Sequence, residues 1–286
     1  MKVVNDYIDF EIIDTSNGMK YERWGNIYLL RPDPLVIWNN GDLTKKYNNI
    51  HSIYHRSNKG GGYWKDVKNV PDNWIISYHD MKFNLKKMGF KHTGLFPEQA
   101  INWNYIREKI KESKRDIKVL NLFAYTGGAT IAAIKENAHV THVDSSRGMV
   151  SWAKENVKLN HLDETKVRFI IDDVIKFVKR EIRRNNKYDV IIMDPPSFGR
   201  GANGEVWDIE KDLYELITLC NELLSEKPLF MLVNSYSGLS PILLENILKL
   251  TNTRNNATIT SDEIGLPIKK NNLVLPCGIY GRIDYE

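Results

Sequence analysis

The sequence predicts an α/β protein in which a doubly wound, mostly parallel β-sheet is covered by helices on both faces. From about residue 99 to residue 233, short apolar runs alternate with segments of helical spacing, as in successive βαβ units. Two more β-like runs follow, and several others with turn signals precede residue 80. We therefore expect a small β-rich domain over residues 1–80 and a larger α/β domain over residues 81–286.

The larger domain is predicted to begin with a helix over 99–114, where apolar residues recur at mostly helical spacing. The predicted strands are 118–123, 138–143, 166–171, 188–193 and 229–233, and the predicted intervening helices are 129–136, 147–159, 174–184 and 210–224. Because crossovers between parallel strands are right-handed, this alternation favours a doubly wound sheet. The last β-like runs, 257–264 and 272–282, have no convincing helix between them and are expected to pair antiparallel. The expected result is a Rossmann-like, seven-stranded sheet with an antiparallel carboxyl-terminal strand.

The small amino-terminal domain contains a loop, Tyr54–Trp64, in which basic and aromatic residues surround three glycines. Such a loop could hold a nucleic-acid strand by stacking and charge. It could equally be a β-turn whose aromatic side chains pair across two strands, which is the alternative we favour.

The composition, 42% hydrophobic and 27% charged, is that of an ordinary soluble globular protein. No apolar run approaches the roughly 18 residues of a membrane span, and acidic residues follow Met1 too early for a secretory signal, so a cytoplasmic location is expected. Cys220 and Cys277 form no CxxC pair and have no histidine cluster nearby, so neither a disulfide nor a metal site is expected.

Charge is unevenly distributed along the chain. Residues 82–118 hold ten Lys/Arg and four Asp/Glu, whereas residues 1–80 hold ten of each. This basic segment fits contact with a phosphate backbone and fits a solvated helix face equally well.

A glycine turn follows the first parallel strand, at the sheet edge where doubly wound folds bind ligands. Its residues are Phe123, Ala124, Tyr125, Thr126, Gly127 and Gly128. Glycines there let a ligand approach the backbone closely. The turn is not the GxGxxG of dinucleotide sites, which argues against a nicotinamide-dependent oxidoreductase. S-adenosylmethionine has no phosphate and can use a looser loop; an ordinary strand-to-helix connection is the alternative.

Two acids close the next two predicted strands. Asp144 occupies a position where an acid can accept hydrogen bonds from two ribose hydroxyls. Asp173 is placed to accept a hydrogen bond from an adenine amine. Either acid alone could be a helix N-cap. Together, behind a glycine turn, they favour a nucleoside cofactor.

The sharpest signal is the run Asp194-Pro195-Pro196-Ser197-Phe198 after the fourth parallel strand. Each proline fixes φ and lacks an N–H, so the preceding carbonyls cannot enter a helical turn and are expected to point into the cleft. With the Asp194 carboxylate they form acceptors for a base edge, and Phe198 offers a ring on which a flipped base can stack. A plain strand-ending turn is the alternative.

Upstream, the polar loop His92–Gln99 leads into the first helix of the larger domain. Its position suggests a lid over the cofactor, with Thr93 and Gln99 as polar contacts. Without that role it is a helix N-terminus with a proline near its start.

Residues 80–286 resemble the class I S-adenosylmethionine-dependent methyltransferase family that includes bacterial 23S ribosomal RNA methyltransferases acting on cytosine C5 and guanine N7. The matching segments are HTGLFPEQ (92–99), NLFAYTGG (121–128), VDSS (143–146), the Asp173 position, DPPSF (194–198) and NSYSGL (234–239). The resemblance implies S-adenosylmethionine as cofactor and RNA as partner. It implies a cofactor pocket lined by Thr93, Gln99, the 124–128 loop, Asp144, Ser145 and Asp173, with residues 194–198 facing the target base.

The sequence departs from the cytosine-C5 members at one position, because Tyr236 stands where their SCSGL motif has a nucleophilic cysteine. Carbon C5 of a pyrimidine becomes nucleophilic only after a thiolate adds to the ring. The resemblance therefore implies direct transfer to a base nitrogen, with Phe198 or Tyr236 as an aromatic face near the sulfonium. The alternatives are a cysteine-dependent C5 enzyme, a methyltransferase for a small molecule or protein, and a non-catalytic RNA-binding protein.

Overall fold

The computed structural model describes residues 1–57, 60–201, 204–236 and 238–285. Its residue contacts form two compact units. Unit 1 contains Met1, Ile101–Ile264 and the chain from Gly278 onward, and unit 2 contains Lys2–Ala100 and Gly265–Cys277. The domain boundary expected at residue 80 falls inside unit 2, and independent folding on either side of it stays a prediction.

Unit 2 is rich in short strands. Its elements are β1 (Lys2–Val3), β2 (Phe10–Ser16), β3 (Met19–Trp24), β4 (Ile27–Pro32), α1 (Leu43–Lys46), β5 (Ser52–Arg56), β6 (Gly62–Asp66), β7 (Trp74–Tyr78) and β8 (Met81–Leu85). Strands β2, β3 and β4 form an antiparallel meander, β5 runs parallel to β4, and β6 returns antiparallel to β5. Strands β7 and β8 form a separate hairpin. The small β-rich region expected from the sequence is confirmed.

The aromatic residues of the glycine-containing loop in unit 2 pair across β5 and β6. Tyr54 stands opposite Trp64 and His55 opposite Tyr63, each pair with ring centroids 5.3 Å apart. The cross-strand alternative is therefore confirmed for the described part of this loop; Asn58 and Lys59 lie outside the described residues.

Unit 1 contains the alternating strands and helices. The elements from residue 100 onward are α2 (Ala100–Ser113), β9 (Lys118–Leu122), α3 (Gly128–Lys135), β10 (His139–Asp144), α4 (Arg147–Leu159), β11 (Val167–Ile171), α5 (Val174–Arg183), β12 (Val190–Met193), β13 (Phe198–Arg200), β14 (Val206–Asp208), α6 (Ile209–Glu222), β15 (Phe230–Ser235), α7 (Pro241–Thr251), β16 (Ala257–Ile268) and β17 (Leu273–Tyr285). The last two strands contribute residues to both units. Helix α7 and the β13–β14 hairpin are not predicted from the sequence.

The strand order of the unit 1 sheet is β11-β10-β9-β12-β15-β17-β16. The first five strands are parallel and β17 runs antiparallel to β15. The first strand in sequence, β9, is central, and the later strands are added on one side and then on the other. The expected Rossmann-like, doubly wound, mostly parallel sheet is confirmed, and its order reverses between β9 and β12.

Burial explains why these segments form a two-sided core. Every residue of β12 and β15 is buried, as expected for parallel strands covered by helices on both faces. Helix α5 buries Val174, Phe177 and Val178, which share one face at spacings of three and four residues. The apolar core therefore holds the sheet together, and the polar residues lie at the ends of the strands.

Candidate active site

The strand register brings four carboxyl ends into one row. Strands β10, β9, β12 and β15 pair so that their last core residues stand opposite one another. One position further along lie Asp144, Phe123, Asp194 and Asn234. Neighbouring strands are ~4.8 Å apart, so this row extends over about 14 Å. Asp144 and Asp194 thus lie on either side of the glycine loop.

The glycine loop between β9 and α3 has an unusual backbone. Phe123, Tyr125 and Gly127 have φ values of 53°, 49° and 90°, in the left-handed region. Residues other than glycine rarely adopt this backbone conformation, and they do so where surrounding contacts fix them. Here the buried Asn156 amide donates to the Thr126 carbonyl at 3.0 Å. The loop conformation is therefore held by the helix that follows β10.

Packing inside unit 1 requires glycine at position 128, and a left-handed φ of 90° together with a tight contact favours glycine at position 127. A Cβ atom on Gly128 would lie 2.8 Å from the Trp103 ring, and one on Gly127 would lie 3.2 Å from the Ala153 Cβ. From the sequence, these glycines are expected to let a ligand approach the backbone. The structure shows that protein atoms occupy the space in which their side chains would lie. The glycines therefore shape the loop.

Asp144 ties the glycine loop to the start of α4. Its Oδ2 accepts from the Tyr125 N–H at 2.9 Å and its Oδ1 accepts from the Ser146 N–H at 2.8 Å. Burial raises the pKa of the carboxyl group. Ser146, and not Asp144, is the N-cap of α4, while Ser145 is exposed. Each carboxylate oxygen has a further lone pair, so Asp144 can still accept ribose hydroxyls.

Asp173 does cap a helix. Its Oδ1 accepts from the Lys176 N–H at 2.9 Å, at the start of α5. Among the residues that the structure describes, none donates a hydrogen bond to its Oδ2. A capping role is therefore present, and the contact with an adenine amine stays a prediction.

A buried histidine lies beneath the glycine loop and was not singled out from the sequence. His142 Nδ1 lies 2.9 Å from the Thr130 hydroxyl, which also accepts from the Asn121 amide at 3.0 Å. Burial lowers the pKa of His142 to about 3, so the ring is neutral. Its Nε2 has no hydrogen-bond partner within the described ranges. This small polar network supports the strand ends from within the core.

The proline turn after β12 is fixed from the β13–β14 hairpin. The Trp207 indole N–H donates to the Pro196 carbonyl at 2.6 Å, and the Ile209 N–H donates to the Ser197 carbonyl at 3.1 Å. The Pro195 carbonyl accepts no hydrogen bond from the described part of the chain. Of the two carbonyls that precede the prolines, this one is therefore left as an acceptor by the turn.

Two aromatic side chains are exposed beside the row of strand ends. Phe198 begins β13 and is 57% exposed, and Tyr236 follows β15 and is 45% exposed. Asn234, which lies two residues before Tyr236 in the NSYSGL segment, is buried and accepts from the Asn102 amide at 2.8 Å. Ser237 lies outside the described residues.

Trp207 is the main site residue that the sequence analysis missed. It is buried, and its ring packs at 4.9 Å from the Phe123 ring of the glycine loop. Trp207 therefore contacts both the proline turn and the glycine loop. Its signal in the sequence is weak, because a tryptophan in a three-residue strand gives no periodic pattern.

Thr93 and Gln99 belong to unit 2. Thr93 is fully buried, and its hydroxyl has no hydrogen-bond partner in the described residues. Gln99 ends a 3-10 turn that begins at Pro97. An unpaired buried hydroxyl is rare in folded proteins. The assignment of both residues to the cofactor stays a prediction.

The two cysteines are buried thiols. Cys220 lies within α6 and is fully buried, and Cys277 is 7% exposed. Burial raises the pKa of both thiols. Neither environment favours a thiolate nucleophile. Within the described ranges, His, Cys, Asp and Glu form no group of three or more that could hold a metal, and no helix is long and apolar enough to cross a membrane.

Part of the basic segment 82–118 is engaged in ion pairs. Within unit 1, Arg107 pairs with Glu136 at 2.7 Å, Lys109 with Asp284 at 2.8 Å and Arg115 with Asp189 at 3.0 Å. These contacts give the three cations a structural partner, which favours the helix-face alternative for this part of the segment.

Comparison with known proteins defines the class. Residues 47–249 match the family model described as S-adenosylmethionine-dependent methyltransferase. The chain belongs to this family, and the enzyme class and the cofactor expected from the sequence are confirmed. A crystal structure of the SAM-dependent methyltransferase from Agrobacterium tumefaciens is 32% identical, with a TM-score of 0.93 over 99% of this chain and 93% of that chain.

Similar curated proteins carry ribosomal RNA names. The ribosomal RNA large subunit methyltransferase K/L of Shewanella frigidimarina is 34% identical over 169 residues, which cover 58% of this chain and 23% of that protein. The protein of the same name from Syntrophotalea carbinolica is 30% identical over 205 residues, covering 68% and 28%. The chain thus spans about a quarter of the length of these relatives.

Proposed function

We propose that this methyltransferase modifies a base of ribosomal RNA, by direct transfer of the sulfonium methyl to a base nitrogen. The observation that carries the proposal is the row of strand ends, in which Asp144 and the glycine loop adjoin Asp194 and the proline turn. Exposed Phe198 extends this row on the proline side. The ribosomal RNA names of the relatives support the choice of RNA.

The residues present fit the cofactor. Asp144 would hold the ribose hydroxyls through its remaining lone pairs, and the backbone of 123–128 would line the methionine portion. Asp173 would accept from the adenine amine with the oxygen that does not cap α5. When bound, the cofactor supplies a methyl group on a positively charged sulfur. An aromatic face such as Tyr236 can stabilise that charge by ~0.5–2 kcal/mol.

The proline turn would position the nucleophile. The Asp194 carboxylate and the Pro195 carbonyl are acceptors that can hold the donor edge of a base, so that its nitrogen lone pair faces the methyl carbon. Orientation of two reactants can supply most of the rate enhancement of such a displacement. The base nitrogen needs no covalent activation, which agrees with the buried state of Cys220 and Cys277.

Methyl-labelled S-adenosylmethionine tests the proposal. The full chain is incubated with large-subunit ribosomal RNA from a strain lacking this protein, and in parallel with extracted protein and metabolites. We expect label in RNA, recovered after nuclease digestion as an N-methylated nucleoside. Asp194→Ala should lower kcat by about 10²-fold, whereas the double variant Cys220→Ala, Cys277→Ala should remain active. Label recovered as 5-methylcytosine, in protein or in a metabolite would contradict the proposal.

A further inference from the structure

The β13–β14 hairpin of unit 1 has two different faces. Its register pairs Phe198 with Asp208, Gly199 with Trp207 and Arg200 with Val206. Residues directly opposite each other in an antiparallel pair point to the same side, and successive pairs alternate between sides. The middle pair therefore forms one face, and the first and third pairs form the other, which we call the outer face.

The first of these faces is fixed to the site. Trp207 is 8% exposed, donates to the Pro196 carbonyl at 2.6 Å and packs against Phe123. Opposite it, a Cβ atom on Gly199 would lie 3.5 Å from the Pro196 ring, so the hairpin lies close against the turn. The position of the outer face is thus set by the same contacts that hold the proline turn.

The outer face is open and combines apolar surface with a cation. Phe198 and Val206 are 57% and 55% exposed. Arg200 is exposed, and its guanidinium makes no hydrogen bond or ion pair with any residue that the structure describes. The neighbouring carboxylates already have partners. Asp208 pairs with Lys211 at 2.7 Å, and Glu205 pairs with Lys176 at 2.6 Å. The positive charge of Arg200 is therefore available to a ligand.

We infer that the outer face of this hairpin binds a single-stranded segment of the RNA substrate next to the target base. That the bound polymer is RNA rests on the proposed function. That a binding surface exists is argued from the exposed residues of the hairpin. A base stacked on an aromatic ring contributes ~1–3 kcal/mol irrespective of sequence, and an arginine neutralises a phosphate. Phe198 and Arg200 lie two residues apart on one strand face, about 7 Å, and the hairpin begins two residues after Pro196.

RNA binding by matched variants tests this inference. The probe is an unstructured, fluorescent RNA of about 12 nucleotides, within the usual site sizes, and anisotropy gives its Kd at several salt concentrations. Phe198→Leu should weaken binding about 5- to 150-fold. The control Tyr214→Leu removes an equally exposed aromatic ring, 53% exposed on α6, and should leave Kd unchanged.

The arginine has its own signature. Arg200→Gln should flatten the dependence of log affinity on log salt by about 0.7, the value for one phosphate contact on a single strand. The control Arg183→Gln removes the same charge from an exposed position on α5 and should change the slope little. Circular dichroism verifies folding, and Phe198→Tyr, which keeps a stacking ring, should restore most of the affinity.

The outcomes separate the inference from the proposed function. If the wild-type chain binds and methylates RNA but both hairpin variants match their controls, the hairpin inference is wrong and the function stands. If the wild-type chain binds no RNA and labels a protein instead, both are overturned. Selective loss of RNA affinity in Phe198→Leu and Arg200→Gln, with the cofactor affinity of Arg200→Gln unchanged, supports the inference.

Discussion

The glycine loop 123–128 and the β13–β14 hairpin follow neighbouring strands of one sheet, yet they are built in opposite ways. The loop is enclosed: three of its residues are left-handed, and its glycines pack against a ring and a helix. The hairpin is held on one face and open on the other. The difference matches the proposed ligands, since a small cofactor can be surrounded, whereas an RNA strand needs a surface that it can reach.

The enclosed loop is also held in place by contacts within the protein. A conformation with left-handed Phe123 and Tyr125 persists only where the surroundings over-determine it. The hydrogen bonds of Asp144 and Asn156, and the packing around Gly127 and Gly128, fix this conformation. Such a preformed site limits the entropy lost on binding. Perturbing the loop should therefore affect cofactor affinity and stability, and perturbing the hairpin should affect the other substrate.

The largest effect on cofactor affinity is expected at Asp144. Asp144→Ala removes the carboxylate that we propose accepts hydrogen bonds from the ribose hydroxyls, together with its two contacts to backbone N–H groups. One hydrogen bond to a charged group is worth ~1.5–3 kcal/mol, so the Kd for S-adenosylmethionine should rise about tenfold or more by isothermal titration calorimetry. Asp163→Ala is the control, because this exposed acid also accepts a backbone N–H but lies at a remote turn. Equal affinities in the two variants would remove Asp144 from the cofactor site.

The pH dependence of stability sharpens the same assignment. Burial raises the pKa of Asp144, so the cofactor-free folded state binds this proton more readily than the unfolded chain. Its contribution to the free energy of unfolding is therefore present below the ordinary aspartate pKa and is lost as the pH rises through the raised value. Urea unfolding across this pH range should show that Asp144→Asn removes this part of the dependence. An unchanged pH profile would contradict the burial argument.

A smaller effect, on stability, is expected at Gly128. Gly128→Ala places a Cβ atom 2.8 Å from the Trp103 ring, and overpacking of this kind costs about 1–3 kcal/mol in the free energy of unfolding. Gly148→Ala is the matched control, since only the Ser146 hydroxyl lies near its added Cβ, at 3.8 Å. That variant should gain about 0.4–1 kcal/mol through reduced entropy of the unfolded chain. Urea unfolding distinguishes the two, and equal stabilities would show that Gly128 is not held by packing.

The sequence predicts the glycine loop and the strand ends better than it predicts the β13–β14 hairpin. Buried apolar runs mark the parallel strands, and the acid or glycine that ends each run marks the sheet edge, so Asp144, Asp194 and the loop were found. What the glycines touch was not predictable, because Trp103 and Ala153 lie in other helices and meet the loop only through the fold.

Helix α7 and the β13–β14 hairpin were not predicted because their apolar residues show no clear helical or strand periodicity. Helix α7 begins with the Ser240 cap and Pro241 at its first position, a sufficient signal for a helix start. Its apolar residues lie on several sides, with Ile242 and Leu250 61% and 74% exposed, so the helical pattern is blurred. The strands of the β13–β14 hairpin have three residues each, too few for alternation to be recognised.

The smallest expected effect tests whether Trp207 links the two regions. Trp207→Phe keeps a ring against Phe123 but removes the indole N–H that donates to the Pro196 carbonyl. Loss of one such bond costs ~1 kcal/mol in the free energy of unfolding. Because the proline turn loses its anchor, kcat should fall several-fold, while the Kd for S-adenosylmethionine should change little.

Trp74→Phe provides the comparison that isolates the hydrogen bond. The Trp74 indole N–H is buried in unit 2 with no hydrogen-bond partner among the described residues, so the same substitution there should be neutral or stabilising. Urea unfolding and single-turnover methyl transfer on both variants give the two readouts. If Trp207→Phe loses no more stability than Trp74→Phe and keeps full kcat, then the hairpin and the proline turn are independent, and the open face of the hairpin owes its position to other contacts.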